Sequence, residues 1–158
     1  MNRVDQGDVR MLSEIRNLNP GKNQLTIYDA RPHLNATANR VRGGGFEDER
    51  HCPGCTLVFL DIENVHAVSY SFGMMLALAH EPDLFDQLSK YGPEVEVTGY
   101  MQLLSAILSG TNKVVEAMLD RQENVLVHCS DGWDRTAQLC SLAQQLLDPH
   151  CRTISGFI

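Results

Sequence analysis

Cys129 and Arg135 are a pair of residues whose types and spacing could act on a phosphate group. Five residues separate them, and two of the five, Asp131 and Asp134, carry carboxylates. A thiolate is a strong nucleophile, and its attack on phosphorus would give a phosphocysteine that water then hydrolyses. A guanidinium offers a planar pair of N–H donors that suits phosphoryl oxygens. Together they indicate thiol-dependent phosphoryl transfer, a route that requires no metal.

The neighbouring sequence makes this spacing more informative than it is alone. An apolar stretch, Val125–Val127, precedes the cysteine as a buried strand would, and Arg135 opens an amphipathic helix that ends near Leu147. A tight loop between strand and helix gathers backbone N–H groups and the positive helix end around an anion. Gly132 permits the bend, and Cys129 in such a pocket should have a lowered pKa. The alternative is a buried cysteine beside an unrelated surface arginine.

The two loop carboxylates are candidates for the proton donor. A leaving alkoxide needs a proton, and a carboxylate beside a bound phosphate dianion is held protonated by like-charge repulsion. Position within the loop favours Asp134 as general acid and later general base, and Asp131 would then bind substrate hydroxyls. In the alternative, both aspartates only cap the loop.

Three further side chains of this stretch have roles that spacing does not decide. The Thr136 hydroxyl could donate to the thiolate or cap the helix. His128 is better suited to orienting the loop through hydrogen bonds than to acting as a base. Trp133 either shapes the loop and its wall or contacts the ligand.

Apolar patterns along the chain predict the strands and helices that must position this loop. Short strands are predicted at Leu25–Tyr28, Thr56–Asp61 and Val125–Val127, the second as a strand buried on both faces. Helices are predicted at about Val9–Leu18, Val65–Ala79, Tyr100–Leu119 and Arg135–Leu147. Periodicity is too weak to predict a strand or helix for 33–50, within which Gly43–Gly45 is predicted as loop, and a connector with one short helix at most is predicted for 82–97. Alternating strands and helices indicate an α/β fold with helices flanking a central sheet.

Each of the three long helices has an apolar stripe that predicts its buried face. The first stripe is made of Val65, Val68, Phe72, Met75, Leu76 and Ala79. The second is made of Tyr100, Leu104, Ile107, Leu108, Val115, Met118 and Leu119. The third is made of Leu139, Leu142, Ala143 and Leu146. Such stripes are typical of core packing and not of a cofactor site.

The composition argues against several kinds of partner. The chain has 158 residues, 43% of them hydrophobic and 21% charged, which suits one soluble globular domain. Its net charge of −7 argues against non-specific nucleic-acid binding and against broad adhesion to anionic membranes. No apolar run reaches the roughly 20 residues that span a bilayer. Five irregularly spaced cysteines favour a reducing, cytosolic compartment over a disulfide framework.

The stretch His128–Gln138 resembles the signature of the myotubularin family of phosphoinositide phosphatases. Six other segments resemble family segments in the family's order: Tyr28–Pro32, Asn35–Ala36, Ala38–Arg40, Gly43–Glu47, Val58–His66 and Arg152–Phe157. The resemblance covers roughly residues 8–158 of the chain. It implies a cysteine-phosphatase-like central sheet with flanking helices, in which residues 125–147 form a strand, a phosphate-binding loop and a helix.

The resemblance implies hydrolysis of the 3-phosphate of phosphatidylinositol 3-phosphate and phosphatidylinositol 3,5-bisphosphate, without a cofactor. By the family pattern, Cys129 is the nucleophile and Arg135 clamps the phosphoryl group. The acid, Asp134, lies within the loop, unlike the separate acid loop of protein tyrosine phosphatases. The substrate-binding residues are then Ser130, Asp131, Gly132, Trp133, Asp134 and Arg135, with Asn39, Asn64 and Val65 at the inositol site. Without the resemblance, Asn39 and Asn64 would be ordinary loop or helix-cap residues.

The resemblance also implies an organisation and a location. Family members carry a membrane-directed domain before the phosphatase region and a substantial segment after it. Residues 1–158 are therefore expected to form a single, partial phosphatase domain without that preceding domain, and to expose apolar surface. A cytoplasmic protein is expected, peripheral on endosomal membranes and in homo- or hetero-oligomers with related phosphatases, with no nucleic-acid partner.

Two alternative functions stay open beside the phosphoinositide phosphatase. One is a catalytically incompetent fragment that binds lipid or a partner. The other is a protein tyrosine or dual-specificity phosphatase, for which the two aspartates and Trp133 in the loop argue poorly.

Two further features lie outside the signature loop. Cys52-Pro53-Gly54-Cys55 spaces two thiols for zinc or redox chemistry, although an ordinary loop is the favoured interpretation and no metal site is predicted. Four arginines concentrate positive charge in an acidic chain: Arg31, Arg40, Arg42 and Arg50. They form a solvated loop face or, alternatively, attract phosphate or membrane.

Overall fold

A three-stranded parallel sheet forms the centre of the fold in a computed structural model of the chain. The structure describes residues 5–19, 22–41, 44–81 and 88–158. The strands are β1 (Leu25–Asp29), β2 (Cys55–Phe59) and β3 (Asn124–His128), in the spatial order β2-β1-β3. All five residues of β1 are buried, because this strand lies between the other two. The predicted α/β class is confirmed as a small parallel sheet with flanking helices.

Helices surround this sheet. In the described ranges they are α1 (Gln6–Asn17), α2 (His33–Val41), α3 (Val65–Ala79), α4 (Leu88–Val97), α5 (Tyr100–Leu119), α6 (Arg135–Leu147) and α7 (Ile154–Phe157), with a 3-10 turn at Pro149–Arg152. Helices α5 and α6 pack against each other and against β3, while α1 packs against β1. None of the helices in these ranges has the length and apolar character to cross a bilayer.

The three strands end at the same edge of the sheet. Asp29, the last residue of β1, is paired in register with Phe59 of β2 and His128 of β3. Backbone hydrogen bonds continue past this edge, since the Ala30 N–H donates to the His128 carbonyl oxygen at 2.8 Å. The Leu60 N–H likewise donates to the Asp29 carbonyl oxygen at 2.9 Å. The segments that follow the strands therefore lie side by side, at the edge where open α/β sheets bind ligands.

Two apolar clusters form the core. The larger lies between the sheet, α5 and α6 and comprises Tyr28, Ala30, Leu60, Ile62, Val114, Ala117, Cys129, Leu139 and Ala143. The smaller lies at the amino ends of β1 and β2 and comprises Leu12, Leu25, Ile27, Cys52 and Cys55. Gly110 of α5 lets this helix approach the larger cluster closely. A Cβ there would lie 3.2 Å from both Leu139 Cδ2 and Leu60 Cδ1.

Helix α2 lies in the stretch 33–50, where weak periodicity predicted neither a helix nor a strand. It buries little apolar surface, which explains its weak periodicity, but Ala36 is fully buried and anchors the helix. Gly44 and Gly45 lie outside helices and strands, as predicted, whereas Gly43 lies outside the described residues. The connector predicted at 82–97 contains α4, and residues 82–87 of it lie outside the described part.

Strand β2 is not buried on both faces as its apolar sequence predicted. Thr56 is exposed, and Leu57, Val58 and Phe59 are only partly buried. The reason is its place in the sheet, since among the described strands β2 pairs with β1 alone. Because β2 is an edge strand, one of its long edges is not covered by another described strand, and its side chains are less buried than those of β1.

Helix α5 has the predicted bounds, and its predicted face is confirmed only in part, since Ile107 and Val115 of that face pack against the larger core cluster. Its buried residues are Gly110, Thr111, Val114 and Ala117, most of them small. Predicted inward residues at Leu104, Leu108, Met118 and Leu119 are instead 37–59% exposed. Small side chains on this face of α5 let the helix pack closely against α6 and β3. The larger apolar side chains of α5 therefore lie on its outer face.

The predicted faces of α3 and α6 are corrected in the same way. Only Ser71 of α3 is buried, whereas Val65, Phe72 and Leu76 are about half exposed. In α6, Leu139 and Ala143 are buried as predicted, but Leu146 is 51% exposed.

The Cys52–Cys55 segment is a disulfide-bonded turn, so its interpretation as an ordinary loop is wrong. Both cysteines are buried. The Leu25 N–H donates to the Gly54 carbonyl oxygen at 3.0 Å, and the Arg16 guanidinium donates to the Pro53 carbonyl oxygen. The turn therefore ties the amino ends of β1 and β2 to α1. In the described residues, no group of three or more potential ligands could hold a metal ion.

Candidate active site

The loop at 129–134 lies at the carboxyl edge of the sheet. Cys129 directly follows β3 and Arg135 is the first residue of α6, so these two elements fix both ends of the loop. Gly132 has a φ of 82°, a left-handed conformation that favours glycine. Strand, loop and helix thus follow one another along the chain, while the phosphate-binding role of the loop stays a prediction.

The Cys129 thiol is buried, with 7% of the residue exposed. The Gly132 backbone N–H donates to its Sγ at 3.2 Å. Burial favours the neutral thiol, but the Thr136 hydroxyl and the backbone N–H groups of Thr136, Gly132 and Asp131 outweigh it. They lower the pKa of Cys129 to about 7. A substantial fraction of this sulfur is therefore thiolate at neutral pH.

The Thr136 hydroxyl stabilises the Cys129 thiolate, and this role is favoured over capping of helix α6. Its Oγ1 is buried and has no aligned hydrogen-bond partner among the described residues. Even so, this hydroxyl is the strongest of the influences that lower the pKa of Cys129. Of its two predicted roles, donation to the thiolate is the one that these contacts favour.

The Arg135 side chain is held in place from two sides. Its Nη1 donates to the Ile62 carbonyl oxygen at 3.2 Å, and its Nη2 donates to Ser130 Oγ at 3.0 Å. The residue is only 8% exposed, which contradicts the alternative of an unrelated surface arginine. A guanidinium has five N–H donors, so three remain for a bound anion.

The alternative in which both loop aspartates act only as caps fails for Asp134. Asp134 occupies the N-cap position of α6, but its side chain makes no capping hydrogen bond. Asp131 is exposed and Asp134 is partly buried. The geometry does not choose between them as proton donor, and Asp134 stays the predicted acid.

The remaining predicted substrate residues differ in how closely the structure ties them to the loop. Asn64 caps α3 by accepting from the His66 and Ala67 N–H groups at 2.9 and 3.1 Å. Val65, the first residue of α3, is 47% exposed. Both lie just beyond Ile62, whose carbonyl oxygen Arg135 binds, so their segment is tied to the loop.

Asn39 and Trp133 are less constrained. Asn39 lies on α2, and its backbone carbonyl accepts from the Gly44 N–H at 3.0 Å. Trp133 is 71% exposed and makes no aromatic contact with the described residues. Their predicted contact with a ligand is therefore untested.

Four charged side chains, Asp29, Arg31, Glu47 and His128, form what we call the charge cluster, next to Cys129. Asp29 is fully buried, and the Arg31 Nε donates to its two carboxylate oxygens at 2.9 and 3.1 Å. The Arg31 Nη2 donates to Oδ2 of the same carboxylate at 2.6 Å. The Asp29 carboxylate raises the pKa of Arg31. Arg31 is thus a buried partner of Asp29 and not part of a solvated face.

His128 joins the charge cluster from β3. Its Nε2 lies 3.0 Å from Glu47 Oε2 and 4.0 Å from Asp29 Oδ2. Burial disfavours the charged ring, but Glu47, Asp29 and the Cys129 carbonyl outweigh it and raise the pKa of His128. Burial also opposes the charge on Glu47, and His128 outweighs that effect and lowers the pKa of this carboxyl.

Glu47 and Asp29 lie in segments that resemble the family, but no local pattern joins Glu47 to His128, which lies 81 positions later. An Asp-x-Arg triplet directly after a buried strand could have indicated the Asp29–Arg31 pair. Of the other arginines, Arg50 pairs at the surface with Asp48, and Arg40 lies 5.1 Å from the Phe46 ring centre. Arg42 lies outside the described residues.

A buried thiol of lowered pKa beside a fixed guanidinium, on a parallel α/β sheet, fits the class of cysteine-dependent phosphatases. A family model described as the myotubularin-like phosphatase domain matches residues 1–158, the whole chain. The chain belongs to this family, and the resemblance inferred from the sequence is confirmed.

Several named relatives match nearly all of the chain. It is 42% identical over 153 residues to "Myotubularin" of Xenopus laevis, covering 97% of this chain and 25% of the relative. It is 42% identical to human "Phosphatidylinositol-3-phosphate phosphatase MTMR7", covering 96% of this chain and 23% of the relative. It is 46% identical to "Phosphatidylinositol-3,5-bisphosphate 3-phosphatase MTMR4" of Xenopus laevis, covering 85% of this chain and 12% of the relative. The chain thus spans a quarter or less of these proteins.

Proposed function

We propose that this chain hydrolyses the 3-phosphate of phosphatidylinositol 3-phosphate and of phosphatidylinositol 3,5-bisphosphate through a phosphocysteine on Cys129. The observation that carries the proposal is the Cys129 thiol, whose pKa is lowered to about 7 by a hydroxyl and three backbone N–H groups. The names of two relatives supply the substrates, since one is called a 3-phosphate phosphatase and the other a 3,5-bisphosphate 3-phosphatase.

The first step is attack of the Cys129 thiolate on phosphorus. An S–P bond forms while the bond from phosphorus to the inositol 3-oxygen breaks, and the leaving oxygen takes a proton from Asp134. Loop N–H groups and the free Arg135 donors stabilise the charge on the transferring group. Water then attacks the phosphocysteine and gives its proton to the same carboxylate. Inorganic phosphate leaves, and the thiolate is regenerated.

The rest of the loop and the start of α3 hold the inositol ring in this proposal. Ring hydroxyls would be bound by Ser130, Asp131, Gly132 and Trp133, with Asn39, Asn64 and Val65 completing the inositol site. Asn64 has its side-chain oxygen engaged as a helix cap, so its amide NH2 is the group left for a hydroxyl. Asp131 remains the alternative proton donor, because no contact of either carboxylate separates the two.

The setting of this activity is also a proposal. We expect residues 1–158 to act as part of a phosphatase domain. We also expect a cytoplasmic protein, peripheral on endosomal membranes and oligomeric with related phosphatases. The charge of −7 requires that such a membrane contact be local or be made through a partner.

Phosphate release from three substrates tests the function. The wild-type chain is compared with Cys129→Ser on vesicles carrying phosphatidylinositol 3-phosphate, on vesicles carrying the 3,5-bisphosphate, and on a phosphotyrosine peptide. We expect release from both lipids that Cys129→Ser abolishes, and little release from the peptide. Release from the peptide alone would indicate a protein phosphatase. No release above Cys129→Ser on any substrate would indicate a binding module.

A further inference from the structure

The ring of His128 has a hydrogen-bond acceptor at each nitrogen. Nδ1 lies 3.2 Å from the carbonyl oxygen of Cys129. Nε2 lies 3.0 Å from Glu47 Oε2 and 4.0 Å from Asp29 Oδ2. A neutral imidazole has one N–H and one lone pair, so it could satisfy only one of these sides. The doubly protonated ring presents an N–H to the Cys129 carbonyl oxygen and a positive charge to the Glu47 carboxylate, and the geometry therefore favours the imidazolium.

Glu47 is the carboxylate that remains for this imidazolium. Asp29 is occupied, because it accepts from the Arg31 Nε, Nη2 and backbone N–H. Glu47 Oε2 and His128 Nε2 are both buried, and neither makes a hydrogen bond with any described residue, so their 3.0 Å contact is an ion pair without hydrogen-bond alignment. The charge cluster thus divides into two pairs, Asp29 with Arg31 and Glu47 with His128.

On the other side of the His128 ring, Nδ1 restrains the orientation of the Cys129–Ser130 peptide, the first of the loop. A trans peptide is planar, and its C=O and N–H point in opposite directions. An Nδ1–H that holds the Cys129 carbonyl oxygen on the His128 side therefore turns the Ser130 N–H to the opposite side. Deprotonation to the tautomer with hydrogen on Nε2 would place a lone pair against that carbonyl oxygen, and the peptide would lose this restraint.

We propose that Glu47 is a positioning residue, which keeps His128 doubly protonated and thereby fixes the orientation of the Cys129–Ser130 peptide for anion binding. Glu47 reaches the loop through His128 and contacts no reacting atom. The consequence for catalysis rests on the proposed phosphatase function, whereas the orientation of the peptide does not.

The charged form of His128 depends on every group that faces it. These are Glu47 from the segment after α2, Asp29 from β1 with its partner Arg31, and the Cys129 carbonyl from the loop. Because the folded pKa of His128 lies above its ordinary value, the restraint is complete at low pH and is lost as pH rises through the raised value. Removal of the Glu47 charge moves that loss to lower pH.

Heteronuclear NMR of the histidine-labelled chain tests the proposal without any catalysis. The His128 signal, one of six, is assigned by its loss in His128→Asn. In the wild type we expect His128 to titrate above its ordinary value of 6.5, with the Ser130 amide shift following the same midpoint. In Glu47→Gln both midpoints should fall together by about one pH unit or more.

Glu49→Gln is the matched control. It makes the same change of charge two positions away, and the glutamine oxygen can still accept from the Leu57 N–H that Glu49 binds at 2.8 Å. It should leave both midpoints unchanged. A wild-type His128 that titrates at or below 6.5 overturns the proposal, and so does a Ser130 amide that ignores the His128 titration.

Kinetics of the same variants separate this proposal from the proposed function. For phosphatidylinositol 3-phosphate at neutral pH, Glu47→Gln should lower kcat about tenfold with little change in KM, and the loss should begin at lower pH than in the wild type. A kcat within twofold of the wild type, despite the shifted His128 midpoint, overturns the positioning role. If the wild-type chain releases no phosphate, the proposed function is contradicted instead. The NMR titrations then still test whether His128 orients the Cys129–Ser130 peptide.

Discussion

The pKa of Cys129 is lowered by groups that lie within seven residues of it along the chain. Burial alone would favour the neutral thiol, and the Thr136 hydroxyl with the loop N–H groups reverses that preference. The sequence predicted this reversal, because the strand, glycine and helix that produce it are all local. The Glu47–His128 contact is long-range, and no local pattern marks it.

Alkylation of Cys129 by iodoacetamide should follow its lowered pKa. We expect the rate to rise with pH to a plateau, with a midpoint of about 7. Thr136→Val removes the strongest stabilising group and should move the midpoint upward. The rate is measured by mass spectrometry of the modified peptide. Cys140, whose pKa burial raises, is the internal control and should react only at higher pH. Equal midpoints for the two cysteines would contradict the loop's effect.

The chain contains two Asp-x-Arg pairs of nearly the same geometry in opposite surroundings. Arg31 and Arg50 each donate from Nε at 2.9 and 3.1 Å to the two oxygens of the aspartate two positions before them. The Asp29–Arg31 pair is buried, whereas Arg50 is 81% exposed. Asp29→Asn should therefore lower the free energy of unfolding by about 3–5 kcal/mol, because it leaves a buried cation unpaired.

Urea unfolding of Asp29→Asn and Asp48→Asn measures this contrast. Asp48→Asn breaks the exposed pair and should have little effect, since water replaces the lost contact. Similar losses in the two variants would mean that burial does not control the strength of this pair.

At the scale of elements, the sequence predicted the bounds of strands and helices better than it predicted which face of each helix is buried. The bounds of α3, α5 and α6 were predicted closely, because long apolar repeats are a strong local signal. The buried face of α5 was predicted only in part. Ile107 and Val115 of the predicted stripe pack against the core, but most of its other large apolar side chains are exposed, and Gly110, Thr111 and Ala117 are among the buried residues. Which stripe is buried depends on the helix that packs there, and the sequence of one element does not contain that information.

Gly110 should be the position of α5 least able to accept a side chain. Gly110→Leu should lower the free energy of unfolding by about 1–3 kcal/mol, because Leu139 and Leu60 already occupy the space. Gly73→Ala in α3 is the control, where no atom lies within 4 Å of the added Cβ. It should raise stability by up to about 1 kcal/mol, and chemical denaturation compares the two. A neutral Gly110→Leu would mean that α5 packs more loosely than described.

At the scale of the whole molecule, Cys129 and Arg135 of the candidate site are buried while large apolar side chains are exposed elsewhere. The loop, Arg135 and the charge cluster are assembled within the described residues, yet large apolar side chains of α3 and α5 face outward. Phe72 and Tyr100 illustrate this, since their rings pack 5.6 Å apart while Phe72 is half exposed. The predicted exposure of apolar surface is therefore confirmed for the described part of the chain.

This surface should bind an apolar fluorescent dye while the chain is folded. We expect dye fluorescence to fall clearly in a double variant, Phe72→Gln with Leu76→Gln, because these residues are one turn apart on the same face of α3. Leu18→Gln is the control, as this leucine is 77% exposed but lies at the end of α1 and not on α3. An equal fall in both variants would indicate scattered binding and not a continuous patch.

The hydrogen bonds that fix Arg135 to Ile62 and Ser130 affect how an anion binds. The guanidinium needs no search among rotamers when a phosphate arrives, so little conformational entropy is lost on binding. The chain's charge of −7 instead repels an incoming anion at long range. Salt screens that repulsion, with a Debye length of about 8 Å at physiological ionic strength. Moderate salt should therefore speed the encounter with a soluble phosphorylated headgroup, in contrast to the slowing that salt causes for proteins with basic surfaces.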